Sequence, residues 1–580
     1  MHDVVIRRGV VVDGTGDPRR VADIAIDGGV ITEVAAPGTI GLGHREVDAE
    51  GLMVTPGFVD IHTHYDGQAS WDPWLTPSSW HGVTTVVGGN CGVGFAPVRP
   101  EKTAWLVQLM EGVEDIPGSA LSEGISWEWE SFPEFLDAVG ASPHVIDFGF
   151  QLAHGPLRGY VMGDRGASNE RATPEDLLEM GRLAAEALAA GALGISTSRT
   201  SLHKARDGEF VPGTFAELDE LYALADALQR EKSRSGRPSV FQMALEHTDV
   251  PAQFGWMREF AQRSGATVSF NFSQTRQDPE LWRDVLSLLE GARQEGYSIV
   301  GQVAGRSIGV LECLEGSVHP FALHSTWASL ADRPLNEKVA ALRDPKIREA
   351  LVAERIASVT PTIDLLIGAW DRMYPVSAGT IDYEPDPDVD SLAALARVSG
   401  KTPQELALDA LLADDGRGML YVPLFNYSGG DLSLLHDLHV NPATRMGLSD
   451  AGAHCGSICD GGMPTFMLSH WTRDRTRGPR LPIEFVVRRQ TAETAALFGL
   501  SDRGVIAPGM KADINIIDYD RLGFTEASMA YDLPTGARRL VQRGRGYVMT
   551  MSGGVSIVED DEFTGALPGQ LIRGSTPVTS

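Results

Sequence analysis

An α/β fold is predicted: a distorted (β/α)8 barrel of the TIM type, with a small β-sandwich built from both chain ends. Three observations predict it. Apolar strand-like runs alternate with helical periodicity through the middle of the chain, strand-rich segments gather at its two ends, and 580 residues suit one large barrel plus a smaller domain. Residues 1–56 and 503–580 are assigned to the composite sandwich and 57–502 to the barrel. Segment 99–143 is a candidate lid or pocket wall.

The strand-like runs are residues 57–62, 84–87, 145–150, 194–198, 240–245, 267–272, 299–303 and 444–448, eight in all. Their near-continuous apolar character fits parallel strands covered on both sides. Helical periodicity fills many of the gaps. Segment 174–190 is the clearest case: Thr173 can cap it, Glu175 and Asp176 sit in its first turn, and Gly191 can end it. At the front, turns at Asp13-Gly14 and at Asp27-Gly28-Gly29 punctuate β-branched runs. At the back, GVIAPGMKADINIIDYD and GYVMTMSGGVSIVEDDEFTGALPGQLIRG read as hairpins.

Composition excludes several classes of function. Apolar residues make up 43%, enough for a large core. Lys plus Arg total 49 against 78 Asp plus Glu, a formal charge of −29, which repels phosphate backbones and anionic bilayers. A small-molecule substrate is expected, with no nucleic-acid or membrane partner; a homo-oligomer is compatible with the size. Four cysteines, Cys91, Cys313, Cys455 and Cys459, make no disulfide framework and suit a reducing compartment. The opening residues hold no secretory pattern, and no run reaches the ~18 apolar residues of a membrane span. The expected location is cytoplasmic.

Three stretches carry candidate chemistry. In TPGFVDIHTHYDG an apolar strand ends in His62-Thr63-His64, and residues two apart on a strand point the same way. The C-terminal strand ends of a barrel are its catalytic face, so two imidazoles there suit a first-row metal; polar strand-end residues bonded to backbone are the plainer possibility. In HGVTTVVGGNCGVG a strand runs into a glycine-rich turn bearing Cys91, either a thiolate ligand or a small buried thiol. In GLSDAGAH, Asp450 follows a late strand, either as a carboxylate that binds metal and accepts a proton from water or as a helix N-cap.

With GVIAPGMKADINIID, VEDIP, GALGISTSRTSLH, SHWTRDRTRG and EFTGALPGQLIRG, these stretches resemble the N-acyl-D-amino-acid deacylase branch of the amidohydrolase superfamily over essentially the whole chain. The resemblance implies a barrel beside a sandwich from both termini, hydrolysis of an N-acyl amide, and zinc. It implies that His62 and His64 are ligands. Cys91 would stand where other branches use a carboxylated lysine, and Asp450 would serve as ligand, general base and then acid. The family pattern also has histidines at the ends of the fifth and sixth strands for a second metal. Here PSVFQMALEHTDV and ATVSFNFSQT stand in those places, and the sixth has no histidine. One Zn2+ per chain on His62, His64, Cys91 and Asp450 is therefore expected. Glu246 and His247 are candidates for a second site.

Further candidates for substrate contact or support are His154, His203, Lys204, Arg206 and, beside Asp450, His454. Trp71, Trp74, Trp127 and Trp129 are candidates for an apolar acyl pocket or for ordinary packing. A rival chemistry lies in Gly305-x-Ser307-x-Gly309, which matches a serine-hydrolase elbow with Asp450 and His454 downstream. The sequence is also compatible with a metal-free scaffold or binding protein, and with a hydrolase of a cyclic amide or ester.

Overall fold

The computed structural model describes residues 1–246, 249–376 and 380–574. A strand forms at each of the eight expected places, and these strands pair in parallel. Phe58–Asp60, Val83–Gly88 and Asp147–Phe150 make a three-stranded sheet. Leu152–Ala153, Gly194–Arg199, Val240–Leu245, Thr267–Asn271, Ile299–Val303 and Thr444–Met446 follow one another in a six-stranded sheet. The backbone ties the two sheets at both seams. Gln151 N donates to Gly88 O at 3.0 Å, Asp450 N donates to His62 O at 3.1 Å, and Thr63 bridges Ala451 in parallel. Every residue of Val83–Gly88 and of Val240–Leu245 is buried, which accounts for their unbroken apolar pattern.

Helix Pro174–Ala190 has the bounds its sequence signals imply. Thr173 and Asp176 form a reciprocal capping box at its start, and Gly191 ends it. The 99–143 segment forms helices Thr103–Glu114, Gly118–Gly124 and Phe132–Gly140.

Both chain ends enter one nine-stranded sheet. Its order is Glu562–Phe563, Val555–Glu559, Tyr547–Ser552, Ile514–Ile517, Met53–Pro56, His2–Val11, Arg20–Asp27 and Val30–Ala35, with Gly43–Asp48 also paired to His2–Val11. Ile6, Ile24, Val54, Ile514, Ile516 and Met551 form its apolar core.

Two features have no counterpart in the sequence reading. Between Ile299–Val303 and Thr444–Met446, the segments Gly309–Glu312, Tyr374–Pro375 and Leu420–Pro423 make a separate antiparallel sheet. It has its own core, including Val310, Leu314, Phe321, Leu342, Leu408 and Val422. The hairpin Ser528–Leu533 and Ala537–Val541 stands apart from the nine-stranded sheet and reaches the segment after Asp450, where Leu540 N donates to Cys455 O at 2.6 Å.

The last described residues run back to the parallel strands. Phe148 N donates to Gln570 O at 3.1 Å and Ile572 N donates to Phe148 O at 2.7 Å, so 570–572 lies along strand Asp147–Phe150 at Phe148. Among the described residues no helix is long and apolar enough to cross a membrane.

Candidate active site

His62 and His64 lie just beyond Phe58–Asp60, and the intervening Thr63 holds them in place. Thr63 N and Oγ1 both donate to Val87 O, at 3.1 and 2.9 Å, while His64 N donates to Ala451 O at 2.8 Å. With that backbone extended, residues 62 and 64 share one face. Both imidazoles are fully buried. Cys91 sits in a turn at φ 56°, a left-handed conformation that non-glycine residues seldom adopt. Two neighbouring strands hold it there: Cys91 N donates to Gln242 Oε1 at 2.8 Å and Gly92 N to Ser196 Oγ at 3.0 Å. Gly92 itself has no room for a side chain, since a Cβ would lie 2.5 Å from Ser198 N. Asp450, at φ 47°, follows Ser449, whose hydroxyl donates to Asp60 Oδ2 at 2.6 Å.

These elements bring four of the expected side chains together. His62, His64 and Cys91 each offer a ligand atom within 4.8 Å of the others, the one such group of three among the described residues. Cys91 Sγ lies 3.3 Å from His62 Nε2. Asp450 Oδ1 lies 3.2 Å from His62 Nε2 and 3.7 Å from His64 Nε2. Asp450 Oδ1 and His64 Nδ1 are buried without a hydrogen-bond partner. Burial pushes the His64 pKa down to about 4. Burial alone would raise Asp450; the close approach of His64 and the charges of His62, His64 and His454 outweigh it and hold the carboxyl well below its usual range. At neutral pH the set therefore holds an ionised Asp450 carboxylate facing a neutral His64 imidazole. Burial, with Glu114 and Asp450 nearby, pushes the Cys91 thiol up. Two imidazoles, a sulfur and a carboxylate whose Oδ1 is unpartnered fit a divalent first-row cation, which would neutralise the carboxylate and favour the thiolate.

A model of the amidohydrolase family matches residues 45–558. The chain belongs to that family. An uncharacterised protein of Mycobacterium tuberculosis is 30% identical, over 97% of this chain and 93% of its own length. A D-aminoacylase of Alcaligenes xylosoxydans xylosoxydans is 29% identical, over 98% of this chain and 97% of its own. A crystal structure of D-aminoacylase, said to define a novel subset of amidohydrolases, superposes with a TM-score of 0.64 at 22% identity, covering 99% of this chain and all of that one. Family and relatives together support a metal-dependent hydrolase acting on C–N bonds.

Within this amidohydrolase the other predicted residues divide. His203 Nδ1 lies 3.1 Å from Ser198 Oγ, and burial and the nearby His64 and His454 imidazoles push its pKa down to about 4, which places it beside the cluster. His454 Nε2 lies 3.7 Å from Glu114 Oε2. His154 is bound at both ring nitrogens, 2.9 Å from Thr197 Oγ1 and 2.9 Å from Glu220 Oε1, and so has no nitrogen left for a substrate. Lys204 is exposed and lies over the Phe210 ring at 4.7 Å. Arg206 is exposed and donates to Glu111 Oε2 at 2.8 Å. Glu246 lies outside the three-residue group and accepts from Ser201 N and Oγ at 2.8 and 2.7 Å. His247 lies outside the described residues.

Ser307 Oγ donates to Phe425 O at 2.7 Å, and its segment joins two strands rather than a strand and a helix, as an elbow requires. Of the tryptophans, Trp74 stacks on Phe563 and Trp129 Nε1 donates to Phe95 O, both packing roles.

Glu114 escaped the sequence reading. It ends helix Thr103–Glu114, is buried, and brings Oε1 to 3.5 Å from His64 Nδ1. Burial, then the charges of Asp450 and Asp66, raises its pKa well above the usual value. The signal available was the acid in VEDIP at the end of an amphipathic helix. Nothing local ties it to a histidine fifty positions earlier.

Proposed function

We propose that the protein hydrolyses the amide bond of an N-acyl amino acid or a similar small amide, using one zinc ion. The carrying observation is the convergence of His62 Nε2, His64, Cys91 Sγ and the orphaned Asp450 Oδ1. In this reading the two parallel sheets, tied at both seams, form one distorted eight-stranded barrel over 57–502. Strands from both chain ends, within 1–56 and 503–574, form the accompanying β-domain. The site then lies at the barrel's C-terminal face, where such folds do their chemistry.

His62, His64, Cys91 and Asp450 would hold the ion, which when bound supplies the Lewis acidity that activates water and polarises the scissile carbonyl. The second oxygen of Asp450 takes a proton from the attacking water and returns it to the leaving nitrogen, which would otherwise depart poorly. A small crevice beside Asp450 is lined by Gly452, Ala453, Cys455, Arg539 and Leu540. D-aminoacylase and N-acyl-D-aspartate deacylase of Alcaligenes, the latter 25% identical over 89% of this chain, support N-acyl-D-amino acids as the first substrates to try.

The test is elemental analysis followed by release of free amino acid from paired N-acyl-D- and N-acyl-L-amino acids. Bound zinc, lost in Cys91→Ala, with turnover of one enantiomeric series is expected. A zinc-loaded protein that cleaves neither series would overturn the substrate assignment. A protein that takes up no zinc would overturn the metal mechanism.

A further inference from the structure

We propose that Gln302, an interior amide of strand Ile299–Val303, is a positioning residue that keeps the proton of His62 off the nitrogen facing the metal. This rests on the metal-site reading above and adds a residue to it. Gln302 is fully buried within an otherwise apolar strand. Burying a primary amide is unfavourable unless its hydrogen bonds are made. Here both ends are engaged: Nε2 donates to Ser269 Oγ at 3.0 Å, and Oε1 lies 2.6 Å from His62 Nδ1. In this orientation, with Nε2 donating to the serine, Oε1 is the acceptor and His62 Nδ1 carries the hydrogen. The opposite ring nitrogen, Nε2, then presents a bare lone pair to the point where Cys91 Sγ and Asp450 Oδ1 converge, 3.3 and 3.2 Å away.

The reverse amide orientation would donate to Nδ1 and push the ring hydrogen onto Nε2, into the space a cation must take. Neutral imidazole carries one hydrogen, so the outer partner decides which nitrogen can ligate. A Cβ at Gly447, on the neighbouring strand's exit, would lie 2.9 Å from Gln302 Oε1, so glycine there leaves room for the amide. Ser269 is itself fully buried on the adjacent strand, Thr267–Asn271.

The readout is cobalt binding followed by its visible d–d spectrum, measured on the metal-free full chain and its variants without any substrate. Gln302→Leu keeps the bulk and removes the acceptor; it is expected to weaken cobalt about 10–100-fold, the range seen when such outer partners of metal-bound histidines are removed. Gln302→Glu restores an acceptor at Nδ1 and is expected to bind near the wild-type affinity with the wild-type spectrum. Ser269→Ala, which frees the amide to rotate, is expected to weaken binding less than Gln302→Leu and covers the case in which that variant does not fold. Equal affinity in wild type, Gln302→Leu and Ser269→Ala would overturn the positioning role and leave the metal site standing. A Gln302→Glu variant as weak as Gln302→Leu would also overturn it. A wild-type protein that binds no cobalt would overturn both.

Discussion

Two buried histidine clusters lie at the exits of the parallel strands, and they differ in how completely their polar atoms are matched. His154, which follows Leu152–Ala153, is closed on both sides: Thr197 takes one nitrogen and Glu220 the other, while Arg158 Nε donates to the same Glu220 oxygen at 2.7 Å. The cluster after Phe58–Asp60 is open. His62 Nε2 faces a sulfur and a carboxylate oxygen, and Asp450 Oδ1 has no hydrogen-bond partner. Residue type alone does not separate the two, since each holds histidine and acid. A buried group left unmatched is unfavourable, so an open set of this kind implies a missing partner, and its N, S and O donors suit a cation. A closed set implies a brace.

The sharpest way to break this comparison is Asp450→Asn. If the open cluster does the chemistry, kcat falls by about 10²–10⁴, the usual contribution of a positioned acid–base group. Unchanged turnover would move the reaction elsewhere. The mirror experiment is Glu220→Ala, which strands Arg158 and His154 in the interior. A loss of about 3–5 kcal/mol in unfolding free energy is expected from removing one partner of a buried pair. Zinc content of the surviving folded protein should not change; zinc loss would show that the closed cluster also serves the metal.

Much of this comparison was legible in the sequence, and the limits have a physical pattern. The histidine pair, Cys91 and Asp450 each follow a strand that its apolar run announces, and helix Pro174–Ala190 carries both its caps locally. Val240–Leu245 and Ile299–Val303 form with the bounds their composition gave. His154 looked as ready for substrate as His62, because its partners Thr197 and Glu220 lie 43 and 66 positions away. Glu114 was invisible for the same reason. The sheet that pairs Gly309–Glu312 with Leu420–Pro423 closes over more than a hundred residues, so no local turn signals it. Gln302 did leave a trace, as the lone amide in IVGQV, but a polar residue inside a strand says only that a partner exists.

Ligand linkage gives a smaller and more selective effect. Zinc at a hundred times its dissociation constant should raise unfolding free energy by about 2.7 kcal/mol, and a chelator should remove it. Cys91→Ala should abolish the response. Glu220→Gln, which alters only the closed cluster, should retain it in full. A zinc response that survives Cys91→Ala would place the ion away from the open cluster.

The smallest expected effect is in acid. Burial would raise the Glu220 carboxyl, but the hydrogen bond and charge of His154 and the charge of Arg158 outweigh it and hold its pKa below the ordinary value of 4.5. The folded chain therefore releases this proton more readily than the unfolded chain. The resulting stabilisation is fully present above the unfolded-state pKa and is lost as pH falls through the folded-state one, at no more than about 1.4 kcal/mol per pH unit for a single group. Chemical unfolding of the zinc-free protein across that acid window should give a shallower pH dependence for Glu220→Gln than for wild type. Working without zinc matters, because ligand protonation at the open cluster would add its own acid dependence to the loaded protein. Parallel curves would mean that Glu220 is no more acidic folded than unfolded. The brace would then be hydrogen-bonded rather than ionic, and the contrast between the clusters would rest on their unmatched atoms alone.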